Sequence, residues 1–250
     1  MNVIVDNLLI NYVDEGKGKT ILMLHGWGNN LKIFEELATN LAKNNQVIRL
    51  DLPGFGDSQI PDETWEIIDY AKFIKDFCVK LNIHPEILIG HSFGGRIIIK
   101  LVAEGIIKSK KIILLASAGI KESDSLRNKL FKVAAKGGKI VTSLPGIRKF
   151  QKNLKEKFYK QANSTDYLYS GEMKQIFLNT INEDLRNDAS KIKVPTLLIW
   201  GKQDNEIPLK QAYILNRQIK NSQLEVLNHA GHFVFQDKPT ETIKLIRKSI

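Results

Sequence analysis

The chain has 250 residues, an apolar fraction of 43% and a formal net charge of +10 at pH 7. This length suits one large α/β domain with a well-buried core, and no apolar run approaches the roughly 18 residues that a membrane span requires. The N-terminal residues lack a basic region followed by an apolar stretch. A secreted or membrane-inserted protein is therefore not supported, and a cytoplasmic one is expected.

The positive charge comes from 30 Lys and only 7 Arg. Nucleic-acid binding calls for a recognisable motif or an arginine-rich surface with interleaved aromatic residues, and the sequence contains neither. Nucleic acid is therefore not an expected partner. The one cysteine, Cys78, lies among apolar residues of a predicted helix. We expect it to be a buried structural thiol rather than a redox group.

The chain opens with a predicted β-hairpin, because the apolar segments 3–5 and 8–12 flank Asp6 and Asn7, a pair typical of a two-residue turn. From Thr20 onward, short apolar runs alternate with longer amphipathic segments. This alternation predicts an α/β fold with a mostly parallel sheet of about eight strands flanked by helices. The predicted core strands are 21–24, 47–50, 87–89, 111–116, 196–200 and 224–227. The predicted helices are 31–42, 64–81, 94–104 and 239–249.

Residues 119–189 break the alternation, being polar with apolar residues at helical spacing. They predict a helical cap inserted into a core formed by residues 1–118 and 190–250. Between Lys121 and Lys160 the sequence has 12 basic side chains and three acidic ones, a local balance of +9. A solvated helical face accounts for such a balance. Docking of an anionic partner or a membrane surface is the alternative.

The pentapeptide Gly90-His91-Ser92-Phe93-Gly94 stands between an apolar strand and an apolar segment compatible with a helix. A serine at such a junction occupies a tight, strained turn that requires minimal side chains two residues before and after it. We interpret Ser92 as a candidate nucleophile. The pattern is short enough to arise by chance as a turn serine, so the rest of the chain must supply its partners.

A serine hydroxyl requires a histidine as general base and usually a carboxylate that orients the histidine. Asp204 follows the predicted strand 196–200, and both His229 and His232 follow the last predicted strand. Because the carboxyl ends of parallel strands meet at one edge of a sheet, these side chains are expected near Ser92. The order Ser, Asp, His is that of one large class of hydrolases.

On these motifs the sequence resembles the α/β-hydrolase-fold serine hydrolases, over essentially the whole chain outside the predicted cap. The resemblance implies that Ser92 is the nucleophile, Asp204 the acid and His232, within Gly231-His232-Phe233, the base. It also implies that His229 is a loop-packing residue. The carboxylates that compete with Asp204 for the role of acid are Glu206 and Asp237.

The segment His25-Gly26-Trp27-Gly28 follows the first predicted core strand and resembles the His-Gly oxyanion loop of the same family. The resemblance implies that the backbone N–H groups of Trp27 and Phe93 form the oxyanion hole and that His25 supports the loop. Residues 52–58 match a further family stretch, read as a structural loop near the site. Asp51 and Asp57 are not expected to react.

The serine at the nucleophile position argues against the haloalkane dehalogenase and epoxide hydrolase branches of the fold, which use a carboxylate nucleophile. No cofactor and no metal are expected. The first expectation is a carboxylesterase that acts on small-molecule esters with small or medium acyl chains, as a monomer or homodimer. One alternative is an esterase of acyl groups on an acidic carrier protein, similar to the pimeloyl-carrier-protein methyl ester esterases. Carbon-carbon bond hydrolases, cofactor-free peroxidases and a non-turnover receptor of the same fold are the others.

Overall fold

The computed structural model describes residues 1–121 and 171–250. Most of the predicted cap, and its basic segment beyond residue 121, lies outside these residues, so the cap boundaries at 119 and 189 stay a prediction. Within the described ranges, no helix combines the length and the apolar character needed to cross a membrane.

The described residues form one eight-stranded sheet with the order β1-β2-β4-β3-β5-β6-β7-β8. The strands are β1 Asn2–Val5, β2 Leu8–Gly16, β3 Lys19–Leu24, β4 Asn45–Leu50, β5 Ile87–His91, β6 Lys111–Leu115, β7 Thr196–Gly201 and β8 Ser222–Leu227. Strand β2 pairs antiparallel with β1 and β4, and the remaining pairs are parallel. The predicted α/β-hydrolase architecture and all of the predicted core strands are confirmed.

The predicted hairpin is also confirmed. Val5 lies opposite Leu8, and the two residues between them, Asp6 and Asn7, have φ of 48° and 63°. Positive φ at both central residues is the geometry of a type I′ turn, whose twist matches that of the paired strands. Asn and Asp tolerate this conformation better than other residues with a side chain, which explains the choice at these positions.

The helices differ from the predictions more than the strands do. They are α1 Glu35–Leu41, α2 Ile67–Lys80, α3 Phe93–Ala103, α4 Lys174–Asn182, α5 Arg186–Lys191, α6 Leu209–Gln218, α7 Val234–Asp237 and α8 Pro239–Ser249. The predicted helix 64–81 begins only at Ile67, because Glu66 and Asp69 form a capping box that fixes its start. The predicted helix 31–42 is divided into a 3-10 turn at Leu31–Phe34 and α1.

The core lies on both faces of the sheet. Leu22 and Leu24 of β3 face α2 and α3, whereas Ile21 and Met23 of the same strand face α1 and α8. This two-residue alternation of apolar residues explains why the strand reads as a continuous apolar run. Cys78 of α2 is buried, and its burial raises the pKa of the thiol to about 12, which confirms an inert structural role.

Because β3, β5, β7 and β8 run parallel, the loops that follow their carboxyl ends lie along one edge of the sheet. His25 follows β3 and Ser92 follows β5. Asp204 and His232 lie in the loops after β7 and β8. The topology therefore brings the chemistry-bearing motifs to one place.

Candidate active site

Ser92 lies at the junction between β5 and α3 with φ of 49° and ψ of −108°, a conformation that side chains other than glycine rarely adopt. The junction is tight. A Cβ atom added to Gly90 would lie 2.7 Å from the backbone of Gly94, and one added to Gly94 would lie 2.0 Å from the carbonyl oxygen of Leu24. The strain at Ser92 is of the order of 1–3 kcal/mol and is maintained by this surrounding packing.

The side chains of His232 and Asp204 are joined by a hydrogen bond of 2.9 Å between Nδ1 and Oδ2. Both residues are buried, with relative exposures of 7% and 6%. The other carboxylate oxygen, Oδ1, accepts hydrogen bonds of 2.9 Å from the backbone N–H groups of Glu206 and Ile207. An ionised carboxylate only accepts, so the proton of this bond belongs to Nδ1, and Nε2 of the neutral ring is left as an acceptor.

The competing residues make other contacts. Oδ2 of Asp237 accepts a hydrogen bond of 2.7 Å from the backbone N–H of Gly231, so Asp237 shapes the loop that carries His232. Glu206 contacts the opposite ring nitrogen of His232, with Oε2 3.6 Å from Nε2. His229 is exposed at φ of 56°, so the expectation that it packs within the loop is wrong. It occupies a left-handed turn instead.

Within the described ranges, no hydrogen bond joins the hydroxyl of Ser92 to His232. Catalytic hydrogen bonds are often long in unliganded sites and shorten when substrate binds. The residue that connects the two is His91, whose ring centroid lies 4.6 Å from that of His232. Its Nε2 donates a hydrogen bond of 3.1 Å to the main-chain carbonyl of His232. Sequence reasoning missed this role, and the only signal for it was the position of His91 next to Ser92.

The oxyanion loop lies against the nucleophile. A Cβ atom added to Gly26 would lie 3.3 Å from Cβ of Ser92 and 2.8 Å from Nδ1 of His91. The ring of Trp27 lies 5.2 Å from that of Phe93. Phe93 is the first residue of α3, so its N–H has no partner within the helix, and the N–H of Trp27 makes no backbone hydrogen bond to any described residue. Both amides are therefore free to bind an oxygen atom.

His25 is fully buried, and both of its ring nitrogens are engaged. Nδ1 donates a hydrogen bond of 2.8 Å to the carbonyl of Gly26, and Nε2 accepts one of 2.9 Å from the N–H of Leu52. Burial lowers the pKa of His25 to about 4. A neutral ring with both nitrogens occupied cannot act as the general base, which confirms that His25 supports the loop.

Helix α4, which follows the predicted cap, contacts the same loop. The ring of Phe177 lies 5.0 Å from that of Trp27. The end of this helix is fixed to the nucleophile helix α3, because the Arg96 guanidinium donates hydrogen bonds to the carbonyls of Thr180 and Glu183. Burial lowers the pKa of Arg96 to about 10. The chain that returns from residue 170 is thereby held against the site.

Metal chemistry finds no support in the described part of the chain, where no group of three or more His, Cys, Asp or Glu residues could hold an ion. The arrangement instead offers a serine, a histidine with one acceptor nitrogen, a buried carboxylate and two free amides. These are the parts required for attack on a carbonyl group.

A sequence profile of the alpha/beta hydrolase family matches residues 21–245. The mouse monoacylglycerol lipase ABHD6 is 31% identical over 92% of this chain and 75% of its own length. The AB hydrolase superfamily protein YisY of Bacillus subtilis is 33% identical over 93% of this chain and 92% of its own length. The crystal structure of a bacterial membrane phospholipase A superposes with a TM-score of 0.76 at 25% identity, covering 99% of this chain and 84% of that one. Because the profile spans most of the sequence, the protein belongs to the alpha/beta hydrolase family and is a hydrolase.

Proposed function

We propose that the protein is a serine hydrolase that cleaves carboxylic esters, with Ser92 as nucleophile, His232 as general base and Asp204 as the orienting acid. The observation that carries this proposal is the buried 2.9 Å hydrogen bond between Asp204 and His232 at the sheet edge that also presents Ser92. The lipase and phospholipase among the similar proteins support ester bonds as the target.

In the acylation step, Oγ of Ser92 attacks the ester carbonyl while Nε2 of His232 accepts the hydroxyl proton. The Asp204 carboxylate stabilises the resulting imidazolium and fixes its orientation. The carbonyl oxygen becomes an oxyanion, which the N–H groups of Trp27 and Phe93 bind. Loss of one such donor typically costs on the order of 100- to 1000-fold in rate.

The tetrahedral intermediate then collapses, and Nε2 of His232 gives its proton to the oxygen of the leaving alcohol. In the deacylation step the same nitrogen accepts a proton from water, which attacks the acyl group on Ser92. The products are a carboxylic acid and an alcohol. The chain needs no cofactor for any of these steps.

For the substrate, we propose a small-molecule ester with a small or medium acyl chain. The aromatic rings of Trp27, Phe93 and Phe177 meet beside Ser92, and they supply an apolar surface suited to an acyl chain. The similarity to a monoacylglycerol lipase makes glycerol esters the first natural substrates to assay.

A second candidate is an esterase of acyl groups on an acidic carrier protein. The local balance of +9 between Lys121 and Lys160 favours it, because an anionic partner would be attracted to that segment. Salt distinguishes the two candidates. Activity on a carrier-protein ester should fall steeply as ionic strength rises, and activity on a small neutral ester should not.

The test of the proposed function is turnover of p-nitrophenyl esters of increasing acyl length by the wild-type protein and the Ser92→Ala variant. We expect the wild type to show a maximum at a short or medium chain and the variant to be inactive with an unchanged circular dichroism spectrum. Full activity of the variant would contradict the proposal.

A further inference from the structure

Glu206 lies at the catalytic imidazole on the side opposite to Asp204. Its Oε2 is 3.6 Å from Nε2 of His232, and its side chain is 60% exposed. Its backbone is fixed, because the N–H of Glu206 donates a hydrogen bond of 2.9 Å to Oδ1 of Asp204. The turn that positions the orienting acid therefore also holds a second carboxylate near Nε2, and that carboxylate is open to solvent.

The proposed mechanism gives this position a specific meaning. Nε2 of His232 donates a proton to the leaving alcohol, so the alcohol oxygen must come within hydrogen-bonding distance of Nε2, about 3 Å. Substituents near that oxygen then lie within several ångströms of the Glu206 carboxylate. The acyl group, bonded to Ser92, lies on the other side of the scissile bond. Glu206 is therefore placed to act on the alcohol part of the substrate.

We propose that Glu206 is a specificity-determining residue that favours esters whose leaving alcohol carries a positive charge and disfavours those with an anionic one. The inference rests on the proposed function, because it concerns the alcohol that His232 protonates. The substrate class it selects is an ester of a cationic alcohol, such as an amino or quaternary ammonium alcohol.

The expected size follows from Coulomb's law. Two unit charges separated by about 6 Å at a site open to solvent change a rate constant by about 3- to 10-fold at low salt, and less at high salt. Lys210 is an exposed cation four residues further along the chain, at the start of α6. Its charge opposes that of Glu206, so its removal should strengthen the selection.

The experiment compares two butyrate esters, of choline and of 3,3-dimethylbutanol. The two alcohols have the same shape, and the first carries a nitrogen cation where the second has a carbon atom. The measured quantity is the ratio of kcat/KM for the choline ester to that for the neutral ester. Because both esters react with the same Ser92 and His232, any general effect of a substitution on the catalytic groups cancels in this ratio.

We expect Glu206→Gln to lower the ratio by about 3- to 10-fold at low ionic strength and Glu206→Lys to lower it further. Lys210→Gln should raise it, and added salt should bring the wild type towards the Glu206→Gln value. Glu36→Gln, the same change on an exposed residue of α1, should leave the ratio unaltered. An equal ratio in wild type and Glu206→Gln would overturn the inference while the proposed function stands. Absence of hydrolysis of both esters by the wild type would overturn both.

Discussion

The imidazole of His232 donates its Nδ1 proton to Oδ2 of Asp204 across 2.9 Å, although 28 residues separate the two in sequence. They meet because β7 and β8 are parallel neighbours, so the loops after these strands lie side by side. The bond fixes the tautomer of His232 and directs Nε2 away from the acid. A carboxylate is required for this, because only an acceptor matches the Nδ1 proton.

The first prediction concerns Asp204→Asn. The amide is similar in size but presents an N–H group, so it favours the tautomer in which Nε2 carries the proton and cannot accept one from Ser92. We expect kcat to fall by about 1000- to 10,000-fold, with little change in KM. Steady-state kinetics on a p-nitrophenyl ester measures the effect.

Asp237→Asn is the matched control, because it makes the same chemical change at the neighbouring carboxylate. Asp237 accepts a hydrogen bond from the N–H of Gly231, and the asparagine oxygen can still accept it. We expect kcat to remain within about threefold of the wild type. A large loss in this variant and a small one in Asp204→Asn would reverse the assignment of the acid.

The second prediction concerns the strain at Ser92. Its φ of 49° and ψ of −108° disfavour any residue with a Cβ atom, whereas glycine adopts positive φ freely. Ser92→Gly should therefore be more stable than Ser92→Ala by about 1 kcal/mol, the strain released being partly offset by the greater backbone freedom of unfolded glycine. Urea unfolding of the two inactive variants compares them directly, and equal stability would show that the junction is unstrained.

The third prediction concerns acid sensitivity. Burial holds the pKa of His25 at about 4, below its ordinary value of 6.5, so between these values the unfolded chain binds a proton that the folded chain does not. Unfolding free energy therefore falls as pH drops through this window, and His25 alone accounts for about 2 kcal/mol between about pH 7.5 and pH 5. Burial lowers the pKa of His91 as well, which adds to the loss in the same direction.

The variant that tests this is His25→Asn, which keeps a donor for the carbonyl of Gly26 but has no group that titrates in this range. Its unfolding free energy should be lower than that of the wild type at neutral pH and should decline less on acidification. Urea titrations at the two pH values give both numbers. Parallel losses in the two proteins would exclude His25 as the source.

The fourth prediction concerns the oxyanion loop. An added Cβ atom at Gly26 would lie 2.8 Å from Nδ1 of His91, so Gly26→Ala must displace the loop from the nucleophile. The N–H of Trp27 moves with it. We expect kcat to fall by about 100-fold, in line with the loss of one oxyanion donor, while the protein remains folded. Unchanged kcat would place the second donor elsewhere.

Much of the fold could be predicted because β3 to β8 are short apolar runs separated by amphipathic segments, and parallel strands follow from that alternation. Helix α6 was not predicted. Its buried positions include Gln211 beside Ala212 and Leu215, so its apolar stripe is too weak to see in the sequence. The early start predicted for α2 has a similar cause, since apolar spacing does not reveal a cap at Glu66.

The pairing of Asp204 with His232 could be predicted from their places after strands, and the structure confirms the contact. The contacts of His91 and Glu206 could not, because both depend on how loops fold back over the sheet edge. His91 contacts the carbonyl of His232, a main-chain group with no sequence signal. His229 shows the converse, since its place beside the final strand suggested packing and the turn geometry exposes it.

The most direct test of the central claim is labelling of the wild-type protein with a fluorophosphonate, followed by peptide mass spectrometry. A fluorophosphonate reacts with a serine only where a base and an oxyanion hole activate it. We predict a single adduct on Ser92, lost in Ser92→Ala and strongly slowed in Asp204→Asn. Absence of an adduct on Ser92 in the folded wild-type protein, or undiminished labelling of Ser92→Ala at another residue, would contradict the account.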